Sequence, residues 1–109
     1  MKQTQLLKGV LEGCVLAIIN EKAIYGYELV QSLRAAGFTD IVGGTVYPLL
    51  QKLEKQDAII GTEKTSPDGP NRKYYSLTPL GEDRLEDFYH LWQMLTDNVN
   101  TILKKEKDE

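Results

Sequence analysis

Thr45, Tyr47, Pro48, Gln51, Lys52 and Lys55 surround an apolar stripe made by Val46, Leu49, Leu50 and Leu53. The stripe recurs at i, i+3, i+4 and i+7, the signature of one helix face. The remaining surface then offers hydroxyls, an amide and ammonium groups. Such groups hydrogen-bond base edges and neutralise phosphates. A second polar set follows directly, with Lys64, Asn71, Arg72 and Lys73 flanking a turn dense in Pro, Gly and Asn. The chemistry these residues suit is non-covalent recognition of a polyanion.

Covalent chemistry has little to work with. Catalysis near neutral pH draws on His, Cys or paired carboxylates. His90 and Cys14 are each the only residue of their kind. His90 is expected at a solvated helical position, and Cys14 within an apolar helix stripe as a small core residue. Glu82, Asp83, Glu86 and Asp87 read as a solvated acidic face. No spacing suits a metal and no glycine-rich cradle suits a phosphate cofactor, so neither is expected. Gly43-Gly44 reads as a hinge and helix cap.

These residues need elements to position them. A first helix is expected over residues 4–20, with Leu7, Leu11, Cys14 and Ile18 as its stripe and Leu6, Val10 and Ala17 widening it. Gly9 and Gly13 lie i, i+4 and would allow close helix approach. Residues 21–23 read as a connector. A second helix is expected over 25–36, with Tyr27, Val30 and Leu33 inward and Gly37 as its C-cap. In the following linker Phe38, Ile41 and Val42 are expected to close the core, with Ile41-Val42 placed to add an edge strand to a hairpin. Pro48 is expected in the first turn of the third helix, where backbone donors lack partners. The hairpin itself reads as a strand over 58–65, a turn over 66–71 and a strand over 72–77. Strand alternation puts Arg72, Tyr74 and Ser76 on one side and Lys73, Tyr75 and Leu77 on the other. The plainer reading of this segment is a hairpin with a solvated turn; Arg72 and Lys73 beside its tip argue against it.

A last helix starts at Thr78, a suitable N-cap, with Pro79 at the first helical position. Leu85, Phe88, Trp92, Leu95, Val99 and Ile102 follow at spacings of 3, 4, 3, 4 and 3, a heptad seam. Such a helix to Lys104 would be about 39 Å long at ~1.5 Å per residue, beyond a domain whose radius of gyration would be about 13 Å. It must outrun its own domain, and a second copy of the chain is the expected cover. Packing on the first helix is the competing reading and is expected along the first half only. The charged tail 104–109 is expected to fray.

The chain has 109 residues, 41% of them hydrophobic, enough for one compact core. No apolar run reaches the ~18 residues of a membrane span. The longest, Cys14 to Ile19, reads as buried helix. No secretion signal is evident, and a single cysteine excludes an internal disulfide, so a cytoplasmic protein is expected. The net charge is −3, which argues superficially against a nucleic-acid partner. Its distribution answers the objection: residues 78–109 hold eight acids and four bases, leaving +1 on residues 1–77. Affinity would come from a few placed cations and from dimerisation. The expected architecture is mainly α with a small β-hairpin (α+β), a winged helix-turn-helix over 1–77 and a dimerisation helix with charged tail over 78–109.

Three segments together resemble the PadR family of bacterial transcriptional regulators. They are Tyr25-Gly26-Tyr27-Glu28-Leu29, then Gly44-Thr45-Val46-Tyr47-Pro48-Leu49-Leu50 with Leu53-Glu54, and Arg72-Lys73-Tyr74-Tyr75 with Leu77-Thr78 and Gly81. The similarity runs from Leu6 to about Leu95, and the short length resembles the small subgroup with a single C-terminal helix, which includes multidrug-sensing repressors. The resemblance implies a dimeric repressor on an inverted-repeat operator. The helix bearing Thr45, Tyr47 and Gln51 would read DNA, and Arg72 and Lys73 would be wing contacts. In drug-sensing members a tryptophan at the spacing of Trp92 stacks on flat ligands between subunits. The phenolic-acid-sensing members carry a longer C-terminal domain, so that effector class is not implied.

Two choices stay open at this level. Trp92 can be a packing residue of the dimer seam. With Phe88 and Tyr89 it can instead form a plate for a small aromatic ligand. A winged-helix module that binds protein rather than DNA is the rival to a DNA-binding regulator, kept alive by the near-neutral charge of residues 1–77.

Overall fold

The computed structural model describes residues 6, 7 and 9–108, with side chains through Lys104. The expected helix start at residue 4 lies outside the described residues. Leu6 and Leu7 sit in a helical turn, but Gly9 takes φ +91 and breaks the run. The first long helix, α1, therefore spans Leu11–Glu21 rather than beginning at residue 4. A two-residue strand β1 (Ile24–Tyr25) leads into α2 (Gly26–Ala35). Helix α3 covers Gly43–Lys55, strands β2 and β3 cover Ile59–Ser66 and Gly69–Leu77, and α4 covers Pro79–Asp108. The sheet order is β1-β3-β2, all antiparallel. The chain is thus mainly helical, with a small sheet and one long terminal helix.

The third strand is not Ile41-Val42, as expected, but Ile24-Tyr25, paired with Tyr75 and Tyr74. The physical reason is local. Ile41 is buried by its side chain, while its carbonyl accepts a hydrogen bond from the Arg34 guanidinium at 3.0 Å, so it has no edge to offer. Val42 is 52% exposed and does not close the core. It is the extended residue that opens α3.

Two helix ends are closed by the same device. Phe38 N–H donates to Leu33 O and Gly37 N–H to Arg34 O, with Gly37 at φ +116, a 6→1 and 5→2 pair that satisfies the last carbonyls of α2. At the end of α3, Ala58 N–H and Asp57 N–H repeat the pattern on Leu53 O and Glu54 O. There the left-handed residue is Asp57, at φ 60.

The core gathers Val15, Leu16 and Ile19 of α1, Ile24, Leu29, Val30 and Leu33, Ile41, then Val46, Leu50 and Leu53 of α3, and Ala58 and Ile59. Two expectations fail here. In α1 the deepest residues are Val15, Leu16 and Ile19, whereas Leu11, Cys14 and Ile18 are half-buried and Ala17 is exposed. In α2 the inward residue is Leu29 rather than Tyr27, which is 59% exposed. Gly13 does serve close helix approach, since a Cβ there would strike the Phe88 ring of α4; Gly9 has nothing near it.

Helix α4 is 30 residues long and the molecule measures 61 × 29 × 20 Å, so the helix overruns the body it belongs to. Its backbone stays helical to Asp108, beyond the point where fraying was expected; Glu109 is not described.

Candidate nucleic-acid interface

On α3 the polar surface is where the period placed it. Val46, Leu50 and Leu53 are buried and Leu49 half-buried, while Thr45, Tyr47, Pro48, Gln51, Lys52 and Lys55 are exposed. Pro48 sits in the second turn, not the first, because the helix begins at Gly43. It withholds the donor that Gly44 O would otherwise accept. Tyr47 does not stand straight out. Its ring lies against Gly26 and Gly43, and a Cβ on either glycine would collide with it. The ring thereby joins the start of α2 to the start of α3. Lys52 reaches Glu12 of α1 at 3.8 Å across an exposed gap. Among the described residues, Gln51 and Lys55 engage no other side chain by hydrogen bond or salt bridge.

The hairpin is tighter than the six-residue turn expected. Ser66 pairs with Gly69, leaving only Pro67 and Asp68 in the loop. The register slips between Lys64–Arg72 and Ser66–Gly69, so one extra residue of β3 bulges at Pro70-Asn71. Proline has no ladder donor, and a bulge is where a strand tolerates it. Asn71 is exposed there, beside the tip.

The two faces of the sheet differ in chemistry. Register places Tyr25, Thr62, Tyr74, Lys64 and Arg72 on the outer face. There the Arg72 guanidinium lies 4.6 Å from the centre of the Tyr25 ring, and Lys64 Nζ lies 4.8 Å from that of Tyr74. Tyr25 meets Tyr74 edge-on at 5.4 Å and Tyr27 in a stack at 6.4 Å. Both wing cations are thus laid on aromatic faces, a contact that orders a long side chain. The inner face carries Ile24, Tyr75, Leu77 and Lys73. Lys73 Nζ donates to Glu54 Oε1 at 2.8 Å, and that hydrogen bond holds the ammonium above its ordinary pKa. Burial pushes the Tyr75 phenol upward, so both groups stay protonated at neutral pH. The sequence reading missed Tyr25, Tyr74 and Glu54. Alternation paired Arg72 with Tyr74, but Tyr25, the residue immediately before α2, offered no sign that it belongs to the same sheet.

On α4 the seam splits. Leu85 packs on the core, and Phe88 rests against Gly13 and stacks on Trp92 at 6.3 Å with planes 15° apart. Beyond that, Trp92, Leu95, Val99 and Ile102 are 40%, 52%, 43% and 62% exposed. Leu91 and Leu103, outside the expected seam, widen the bare apolar face. A groove of about 510 Å³ runs between α1 and α4, lined by Val10, Cys14, Phe88, Trp92, Leu95 and Val99. Tyr89 does not line it; its ring meets His90 edge-on at 5.9 Å. His90 is solvent-exposed, 3.9 Å from Glu86, as the sequence suggested. Cys14 is half-buried, packed against the edge of the core in the groove wall, and burial raises its pKa, which keeps the thiol protonated at neutral pH.

Comparison with known proteins places this geometry. The Transcriptional regulator PadR-like family matches residues 15–87. A transcriptional regulator from Streptococcus is 60% identical, covering 92% of this chain and 98% of that one, with a TM-score of 0.83. A PadR-like transcriptional regulator from Bacillus cereus is 48% identical over 91% of this chain and 96% of its own, with a TM-score of 0.84. Bacillus subtilis PadR in complex with operator DNA shares the fold at 23% identity and a TM-score of 0.67, over 73% of this chain and 46% of that one.

Proposed function

Because the chain belongs to the PadR-like family of transcriptional regulators, we propose that it is a homodimeric repressor that reads an inverted-repeat operator with α3 and the outer wing cations. The family consists of regulators and not enzymes. The observation that carries the DNA reading is the exposed polar face of α3, with Thr45, Gln51, Lys52 and Lys55, beside a hairpin that presents Lys64, Asn71 and Arg72. A related fold is known bound to operator DNA. No helix among the described residues is long and apolar enough to cross a membrane, and a cytoplasmic location is part of this proposal, because the operator it would read lies there.

Selection from a random duplex pool tests this reading. The protein should enrich an inverted repeat with half-sites about 34 Å apart. Binding should weaken linearly in log–log salt. Failure to bind any duplex would favour the protein-interaction module. Within the complex, Gln51→Ala should relax base preference by about 1–3 kcal/mol, because a glutamine amide can pair with adenine. Arg72→Ala should instead weaken binding to every duplex and lower the salt slope by about one. Unchanged binding by Arg72→Ala removes the wing from the interface.

A small planar aromatic ligand acting at Trp92 is the regulation we propose. The exposed indole, its stack on Phe88 and the apolar groove support this. A ligand that prefers the misregistered dimer by ~1.4 kcal/mol would lower operator affinity about tenfold. Planar cationic dyes should quench the single tryptophan and release the selected duplex. Quenching without release makes Trp92 a binding site and not a switch.

A further inference from the structure

We propose that Lys73 and Glu54 form a strut fixing the wing against α3, which makes Lys73 a positioning residue for DNA binding and not a phosphate contact. This rests on the DNA-binding reading above. Strand alternation turns Lys73 to the same face as Tyr75 and Leu77, both packed on the core, while Arg72 points to the opposite face. The Lys73 ammonium meets the Glu54 carboxylate at 2.8 Å, bridging β3 and the last turn of α3.

The neighbouring residue leaves room for that bridge. Gly61 pairs with Tyr75 across the hairpin. A Cβ on Gly61 would run into the Lys73 side chain and come within 2.9 Å of Glu54 Oε2. A glycine in a strand interior is otherwise a weak choice, and it often marks such a close approach. Glu63, directly across from Lys73 in register, adds a second negative charge, so the ammonium faces two carboxylates. A DNA phosphate would have to compete with both.

The hairpin leaves the body at Ile59 and Leu77 and has eight- and nine-residue strands. A ribbon anchored only at its base would pivot, and Arg72 and Lys64 would lose their register with α3. The strut sits partway up the ribbon and resists that motion.

The sign of one substitution separates the strut from a phosphate contact. Glu54→Gln removes a negative charge near the polyanion, which simple electrostatics says should tighten binding. A strut demands the opposite. The probe is one duplex enriched by the wild-type protein from a random pool. Glu54→Gln should weaken it about two- to fivefold, the range open to an exposed ion pair. Lys73→Met should do the same without lowering the salt slope, and the double variant should lose no more than either single one. Lys73→Arg should bind as the wild type does. Hydrogen exchange of the free protein reads the strut without DNA: in Glu54→Gln the amides of β2 and β3 should exchange faster while α1 and α2 stay protected. Tighter binding by Glu54→Gln, a slope lowered by about one in Lys73→Met, or unchanged hairpin exchange would each overturn the proposal. If the wild type enriches no duplex yet hairpin exchange rises in Glu54→Gln, the strut stands and the DNA reading fails.

Discussion

Replacing Leu95 and Val99 with Asp should turn the protein into a monomer and lower its affinity for the selected duplex about 10²- to 10⁴-fold. The affinity estimate is the avidity that joining two binding sites supplies and that separation removes. Both side chains lie outside the buried core, on the wall of the groove between α1 and α4 at 52% and 43% exposure, so the changes leave the monomer's core untouched. In a dimer closed by a two-fold axis each substitution counts twice. Four carboxylates would enter an apolar seam, and burying even one unpaired charge costs several kcal/mol. The first half of α4 is held differently. Phe88 against Gly13 and Leu85 on the core fasten the helix to its own chain. Sedimentation gives the mass, and circular dichroism checks that helix content persists. A double variant that still sediments as a dimer would move the association surface away from Leu95 and Val99, and with it the proposed spacing of the two reading heads.

The parts of this molecule legible in the sequence are those where one physical signal acted alone. The stripe of α3 has a single core to face, and its 3.6-residue period identified Val46, Leu50 and Leu53. The Thr78-Pro79 start of α4 is a strong local signal, and the structure begins the helix at Pro79. Helix α1 defeats the same method because Cys14 to Ile19 is apolar all round. One face meets the core through Val15, Leu16 and Ile19, the other meets α4 through Cys14, and no period distinguishes two apolar faces. Strand β1 has two residues and depends on β3 for its existence, so nothing local announces it. The turn misled for another reason. Pro67 to Asn71 is uniformly turn-forming in composition, yet the loop is two residues, Gly69 is paired and Pro70-Asn71 is a bulge, a distinction made by pairing partners.

At the candidate interface the residue types and the polar face of α3 were legible, and the inward face of the hairpin was not. Arg72 and Lys73 look equivalent as a basic pair in the sequence. Alternation separates them, but only the burial of Tyr75 and Leu77 says which face is inward. Tyr47 is exposed, as its place opposite the stripe implies, but the lean of its ring over Gly26 and Gly43 has no local signal, because Gly26 belongs to the preceding helix.

Thr78→Val should destabilise the protein by about 2–3 kcal/mol, combining a lost N-cap with a buried donor left unpaired. The hydroxyl of Thr78 makes two bonds from a buried position. It donates to Asp57 O at 2.6 Å and accepts from Gly81 N–H at 3.0 Å, while Thr78 N–H donates to Ala58 O at 3.1 Å. One residue thus ties the end of α3, the end of β3 and the start of α4. The contact is too close for a side chain at position 81, where a Cβ would strike Ala58 O. Valine matches threonine in shape but can neither donate nor accept, so Gly81 N–H would be stranded. Thr78→Ser keeps both bonds and should cost far less. For a chain this size the valine variant should melt on the order of 10 °C lower, measured at one protein concentration because association also shifts the midpoint. The functional effect follows from the same joint. Helix α4 carries the proposed dimer seam and α3 the proposed reading face, so the Thr78 bonds would set the angle between them. Below its melting range, Thr78→Val should bind the selected duplex more weakly than wild type, and Thr78→Ser should restore most of the loss. A valine variant within 0.5 kcal/mol of wild type, the ordinary range for surface changes, would mean that water replaces the hydroxyl and that this joint does not set the geometry of the reading heads.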